Sequence, residues 1–103
     1  MSFSIAGKTA IVTGAANGVG LAIARHFADH GANVMCADRD EDGLTEGLGA
    51  VTDEDEENPG NIRYFAGDLR ERLTQANLLS ATLDAFDQVD ILVAANCGWI
   101  LAK

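Results

Sequence analysis

Hydrophobic and polar positions along the chain switch repeatedly between two spacings. Residues 9–13, Thr-Ala-Ile-Val-Thr, form a nearly continuous apolar and β-branched run that stops at Gly14, as a strand buried on both faces does. From Val19 to His30 the spacing becomes three and four: Leu21, Ala24, Phe27 and Ala28 share one helical face, Arg25, His26 and Asp29 fall on another, and Gly31 supplies a C-terminal stop. Asn33 to Ala37 predicts a second strand. Asp40 is placed to cap a helix reaching to about Leu48 or Val51, and the acidic residues of its first turn favour that N-terminus. Ile62 to Ala66 predicts a third strand. After Gly67 and Asp68 comes the longest helical pattern, with Leu73, Ala76, Leu79, Leu83 and Phe86 three or four residues apart, and Val89 to Ala95 predicts a fourth strand. The order is β-α-β-α-β-α-β with short connections. Such alternation implies an α/β fold, a Rossmann-like parallel sheet with right-handed crossovers, in one domain over residues 1–103.

The first strand-to-helix junction carries the chemistry. Thr13-Gly14-Ala15-Ala16-Asn17-Gly18-Val19-Gly20 places three glycines where a strand must turn sharply into a helix. Gly14 permits the turn, Gly18 lets the backbone lie against a pyrophosphate, and Gly20 lets the helix pack closely on the strand. The free N–H groups of the first helical turn then face a diphosphate, so the segment Gly14, Asn17, Gly18, Val19 and Gly20 is the expected binding loop. It contains no lysine and does not fit GxxxxGK[ST], which argues against a nucleoside-triphosphate loop. Asp38 ends the second strand, 18 residues beyond Gly20, where a carboxylate accepts hydrogen bonds from adenosine ribose hydroxyls. A 2′-phosphate would meet that charge, so NAD is favoured over NADP. Arg39, next door, can stack on adenine or pair with a phosphate.

Composition and charge narrow the class. The 103 residues are 48% hydrophobic and 22% charged, with one proline and 11 glycines, as in an ordinary globular domain. The net charge of −9 is concentrated at residues 40–57, where Asp40, Glu41, Asp42, Glu46, Asp53, Glu54, Asp55, Glu56 and Glu57 meet no basic residue. With no basic stripe, nucleic-acid and anionic-membrane binding are not expected, and residues 53–61 read as a solvated loop and turn. No run approaches the roughly 18 apolar residues of a membrane span and the N-terminus has no signal-peptide pattern, so a cytoplasmic protein is expected. Cys36 and Cys97 are far apart in apolar surroundings and read as buried small hydrophobes.

The spacing of Thr13 to Gly20, the acidic end of the second strand at Asp38, Asp68-Leu69 after the third, and Asn96-Cys97-Gly98 after the fourth together resemble the N-terminal, cofactor-binding half of a short-chain dehydrogenase/reductase. The resemblance implies that Asp68 and Leu69 contact adenine and that Asn96 and Gly98 line the cofactor. It also implies chemistry that these residues do not carry. Family members run to roughly twice this length or more and reduce carbonyls with a serine and a Tyr-x-x-x-Lys, the lysine lowering the pKa of a tyrosine that donates a proton beside the nicotinamide. Here the single tyrosine, Tyr64, lies in the third strand with Asp68 four residues on, and the lysines are Lys8 and Lys103. Tyr64 reads as a half-buried strand aromatic. No catalytic residue is assigned.

The leading expectation is therefore an NAD(H)-binding domain, incomplete relative to the family fold, that supports hydride transfer only if a second half supplies the serine and Tyr-x-x-x-Lys. The alternative is a non-catalytic NAD-binding or oligomerisation module; a third class is another α/β nucleotide or S-adenosylmethionine domain. His26 and His30 read as a solvated helix face, and Asp84, Asp87 and Asp90 as surface carboxylates, with no metal site. Trp99, Ile100 and Leu101 form an apolar tail suited to a core or an interface. With strand order 3-2-1-4, the third helix lies alone on one face and the fourth strand is a bare apolar edge. Self-association, or a missing C-terminal half, is expected to cover that edge.

Overall fold

Alternate residues of each strand enter different layers, and this period of two builds both halves of the core. A computed structural model of the chain describes residues 5–16, 18–44, 46, 62–95 and 99–102. In chain order the elements are β1 (Thr9–Thr13), α1 (Gly18–Asp29), β2 (Asn33–Asp38), β3 (Ile62–Ala66), α2 (Arg72–Phe86), β4 (Ile91–Ala94) and β5 (Trp99–Ala102). The sheet order is β3-β2-β1-β4-β5. The first four strands are parallel, with Val12 opposite both Cys36 of β2 and Val93 of β4, and Cys36 opposite Tyr64 of β3. These are the predicted strands and the predicted 3-2-1-4 order.

On one face Ala10, Val12, Val34, Cys36, Ile62, Ile91 and Val93 pack against Ala24, with Leu21, Phe27 and Ala28 of α1 partly buried around it. The expected inner face of α1 is thus the observed one. The helix ends as its sequence implies: Gly31 adopts φ 86°, the Ala32 amide donates to Phe27 O at 3.0 Å, and the Gly31 amide donates to Ala28 O at 3.1 Å. Asp40 caps a helical stretch at 41–44, its Oδ1 accepting from the Gly43 amide at 3.0 Å, and Leu44 from that stretch is buried in the same core. Its expected extension to 48–51, and the acidic loop, lie outside the described residues. Burial pushes the Cys36 thiol up to about 12, as befits a small hydrophobe; Cys97 lies outside the described residues.

The opposite face is thinner and departs from expectation in two ways. There Ile11, Met35 and Ala37 pack against Leu78 of α2, with Phe65, Leu69, Ala81, Phe86 and Val89 partly buried around them. Of the helical spacing read from sequence in α2, only Phe86 packs inward: Leu73 is 72% exposed, Leu79 48% and Leu83 41%, while Leu78 and Thr82, outside that spacing, are buried. Apolar residues occur all around this helix, so spacing alone selects no face; the sheet decides, and Thr82 tolerates burial because its hydroxyl donates to Leu78 O at 2.8 Å.

The second departure corrects the expected bare edge at β4. Residues 99–102, read from sequence as a tail, form β5, which runs antiparallel along β4 with Ala94 opposite Trp99 and Ile91 opposite Ala102. A chain that reverses right after β4 supplies that edge with backbone partners from within, so no second chain is needed to pair it. The other end of β4 is also tied down. Asp90, expected to be a simple surface carboxylate, accepts from the Thr9 amide at 2.9 Å and from Gln88 Nε2 at 2.8 Å, and Gln88 also donates to Gly7 O.

Candidate functional site

Parallel strands in the order 3-2-1-4 deliver the carboxyl ends of β1, β2 and β3 to one side of the sheet. The chain leaves β1 in one direction and reaches β4 from the other, and a crevice opens outside the strand ends at such a reversal. Gly14 makes the turn at the end of β1 in a left-handed conformation, φ 70°, which favours glycine. Gly20, one turn into α1, is buried beneath it. A Cβ there would strike the Gly14 carbonyl, 2.8 Å from its carbon, so the close seating of α1 on the turn requires the missing side chain. Gly18 differs: a Cβ there would meet nothing within 4 Å. Among the described residues nothing demands glycine at 18, and the space beside it at the helix N-terminus is open. Val19 beside it is 65% exposed, and Asn17 lies outside the described residues.

Asp38 links this turn to the next strand. Its Oδ2 accepts from the Ala16 amide at 3.1 Å and its Oδ1 from the Asp40 amide at 3.0 Å, which leaves each oxygen one further acceptor position. Two backbone bonds brace the same corner: the Ala15 amide donates to Ala37 O at 3.3 Å and the Gly67 amide to Asp38 O at 3.1 Å. The carboxylate is therefore held in place before any ligand arrives.

A cavity of about 430 Å³ opens over these strand ends, lined by Gly14, Asp38, Arg39, Gly67, Asp68, Leu69 and Arg70. Five of the residues singled out from sequence, Gly14, Asp38, Arg39, Asp68 and Leu69, thus meet on one surface. Gly18, Val19 and Gly20 form the adjoining first turn of α1. Asn96 and Gly98 lie outside the described residues.

Two lining residues escaped the sequence reading. A Cβ on Gly67 would come within 2.8 Å of Thr74 Cγ2, so glycine there lets the first turn of α2 close under the loop. Arg70 grips Asp68 at both oxygens, with Nε 3.0 Å from Oδ1 and Nη2 2.8 Å from Oδ2. That guanidinium, with a smaller contribution from Arg39, holds the Asp68 carboxyl down at about 2. The available signal was the pairing of opposite charges two residues apart in a post-strand loop.

Other candidates stay apart. His26 and His30 stack with ring centroids 4.2 Å apart on the exposed face of α1, and His30 Nδ1 is 2.7 Å from His26 O. Among the described residues no group of three metal-ligating side chains gathers. No helix of the described residues is long and apolar enough to cross a membrane. Tyr64 is a half-buried β3 side chain packed against the α1-side core, as its sequence context implies.

Known proteins share this arrangement. The L-fucose dehydrogenase of Mus musculus is 36% identical over 93 residues, a match spanning 90% of this chain and 31% of that enzyme. A short chain dehydrogenase/reductase from Burkholderia phymatum, solved in complex with NAD, aligns with a TM-score of 0.77 at 28% identity, covering 88% of this chain and 31% of that one. The 3-ketoacyl-(acyl-carrier-protein) reductase of Brucella melitensis, solved with NADH, aligns with a TM-score of 0.75 at 34% identity, covering 86% and 34%. The chain spans about a third of the length of the curated relatives it matches. A model of the short chain dehydrogenase family runs from residue 8 to residue 101, so almost nothing of the sequence falls outside the match, and the chain belongs to that family.

Proposed function

We propose that these residues bind NAD(H) as the cofactor-holding part of a short chain dehydrogenase. The observation that carries the reading is the position of Asp38, braced by the Ala16 amide of the glycine turn and open to the cavity that Asp68 and Leu69 also line. The residues fit the dinucleotide. The N-terminal amides of α1, reached past the open side of Gly18, would hold the diphosphate. The free acceptor positions of Asp38 would take the adenosine ribose hydroxyls; Arg39, Asp68 and Leu69 would flank the adenine, and Asn96 and Gly98 would line the cofactor beyond β4. When bound, the nicotinamide supplies hydride transfer to or from an alcohol or carbonyl.

NAD is favoured over NADP because a 2′-phosphate would stand against the Asp38 carboxylate. Asp38→Asn keeps an acceptor for the Ala16 amide but removes the charge. We expect it to weaken NADH by about tenfold while weakening NADPH less, as read by nucleotide fluorescence titration. Equal losses for both nucleotides, or tighter NADPH than NADH in the unsubstituted chain, would remove Asp38 as the selector.

A second reading, a binding or oligomerisation module without chemistry, is favoured by the location of the only tyrosine. Tyr64 is inside β3, and Asp68 rather than lysine stands four residues on. Hydride transfer therefore calls for a serine and a Tyr-x-x-x-Lys from polypeptide beyond these residues.

A further inference from the structure

We propose that the outward face of α2 is a self-complementary docking surface, on which α2 of a second copy of this chain lies antiparallel. The inference is independent of the cofactor-site reading, because no residue of that face lines the cavity at the strand ends.

The fold uses only one side of this helix. Leu78 and Thr82 are buried, while Leu73, Ala76, Ser80 and Leu83 recur every three or four residues on the exposed side. Leu79 flanks this stripe and carries apolar surface from it to a recess beside β4, which Leu92 also lines. Arg72 and Asp84, both exposed, close the two ends of the stripe, and among the described residues neither has an ion-pair partner.

These two charges stand the wrong way round for the helix that carries them. Arg72 is the first helical residue and Asp84 lies in the last turn, with no acidic residue in the first turn and no basic one in the last. Each therefore sits at the end of the helix dipole that carries its own sign. An antiparallel partner reverses both relations, since each Arg72 then lies beside the other helix's C-terminus and each Asp84 beside its N-terminus. Arg72 and Asp84 are also equidistant from Leu78, so a two-fold axis at that height sets Arg72 opposite the partner's Asp84, Leu73 opposite the partner's Leu83 and Ala76 opposite the partner's Ser80. The small alanine and serine let the axes approach until the leucines meet. Because the stripe is electrically neutral in a chain of net charge −9, two copies can approach on this side without opposing like charges. An unrelated apolar partner would gain from the leucines, but only a second copy makes use of inverted charges placed evenly about the helix midpoint.

The test is sedimentation equilibrium of the full chain, with Asp84→Arg and with the double variant Arg72→Asp, Asp84→Arg. A contact made by one helix from each copy is small, so dimerisation is expected with a dissociation constant on the order of 100 µM. Asp84→Arg sets arginine against arginine at both ends of the pair and should weaken the dimer by at least about tenfold. The double variant restores opposite charges across the axis and should recover the dimer; its charges also suit its own helix dipole, so a folding defect is not expected to mask the recovery. A chain that stays monomeric up to about 1 mM, ten times the expected dissociation constant, would overturn the proposal and leave the stripe to a different polypeptide. A dimer that Asp84→Arg leaves intact would overturn it too, by placing the contact on another surface, as would a double variant that associates no better than Asp84→Arg alone.

Discussion

Gly18 and Gly20 sit two residues apart in the same turn, yet their lack of a side chain answers to different neighbours. At Gly20 the obstacle is the chain's own Gly14 carbonyl, whereas at Gly18 the space is open. Gly20→Ala is therefore expected to cost on the order of 1–3 kcal/mol in urea unfolding, because backbone must move to admit the methyl. Gly18→Ala should leave the unfolding free energy within about 0.5 kcal/mol of the parent and still weaken NADH, a separation of stability from binding read on the same two samples. Asp68 gives a second residue-level expectation. Its folded-state value, about 2, lies below the ordinary 3.8, so the stabilisation it contributes is complete above about pH 4 and fades as the pH falls through 2. Carboxyl NMR titration should place the midpoint near 2 in the parent and return it toward the ordinary value in Arg70→Ala, since the Arg70 hydrogen bonds are the main cause. At this scale the glycine turn and Asp38 were legible because steric demand and strand position constrain them directly. Arg70 was not, because residues two apart meet only when a particular loop conformation turns them together.

Elements were legible where burial acts on both faces. β1, β2 and β4 feed two core layers and read as nearly continuous apolar runs, whereas the edge strand β3 carries an exposed Arg63; all four were placed to within two residues at either end. Helix α1, with polar residues on its outer side, had one possible inner face. Helix α2 did not, and the stripe through Leu73, Leu79 and Leu83 turned outward. The expected consequence is specific: Leu78→Ala should lower stability by roughly 2–4 kcal/mol in urea denaturation, and Leu73→Ala should fall within about 0.5 kcal/mol of the parent. The reverse order would show that α2 seats on the sheet through the face the spacing first indicated. Strand β5 escaped because four apolar residues fit a strand, a core segment or an interface equally well; only the exposed edge of β4 decides among them.

For the whole molecule, the sheet order and its two unequal layers follow from the alternation of elements. The α1 face carries the larger cluster, and Leu44 from the 41–44 stretch adds to it. The α2 face leaves an apolar recess of about 330 Å³ between α2 and the β1–β4 surface, lined by Ile11, Thr13, Leu69, Gln75, Leu78, Leu79 and Leu92. One helix covering part of a four-stranded parallel face accounts for it, while the β4 edge itself is paired by β5. The same topology brings the glycine turn, Asp38 and the Asp68 loop to one side, and the account's central claim is that this side holds a dinucleotide. The most direct measurement is an amide NMR titration of the isotopically labelled chain with NAD. The account predicts saturable shifts concentrated at Gly14, Ala15, Ala16, Gly18, Val19 and Gly20, with Asp38, Asp68 and Leu69 moving at the same ligand concentration. Saturation with shifts confined to other parts of the sheet, or no shift at these amides at millimolar NAD, would contradict it.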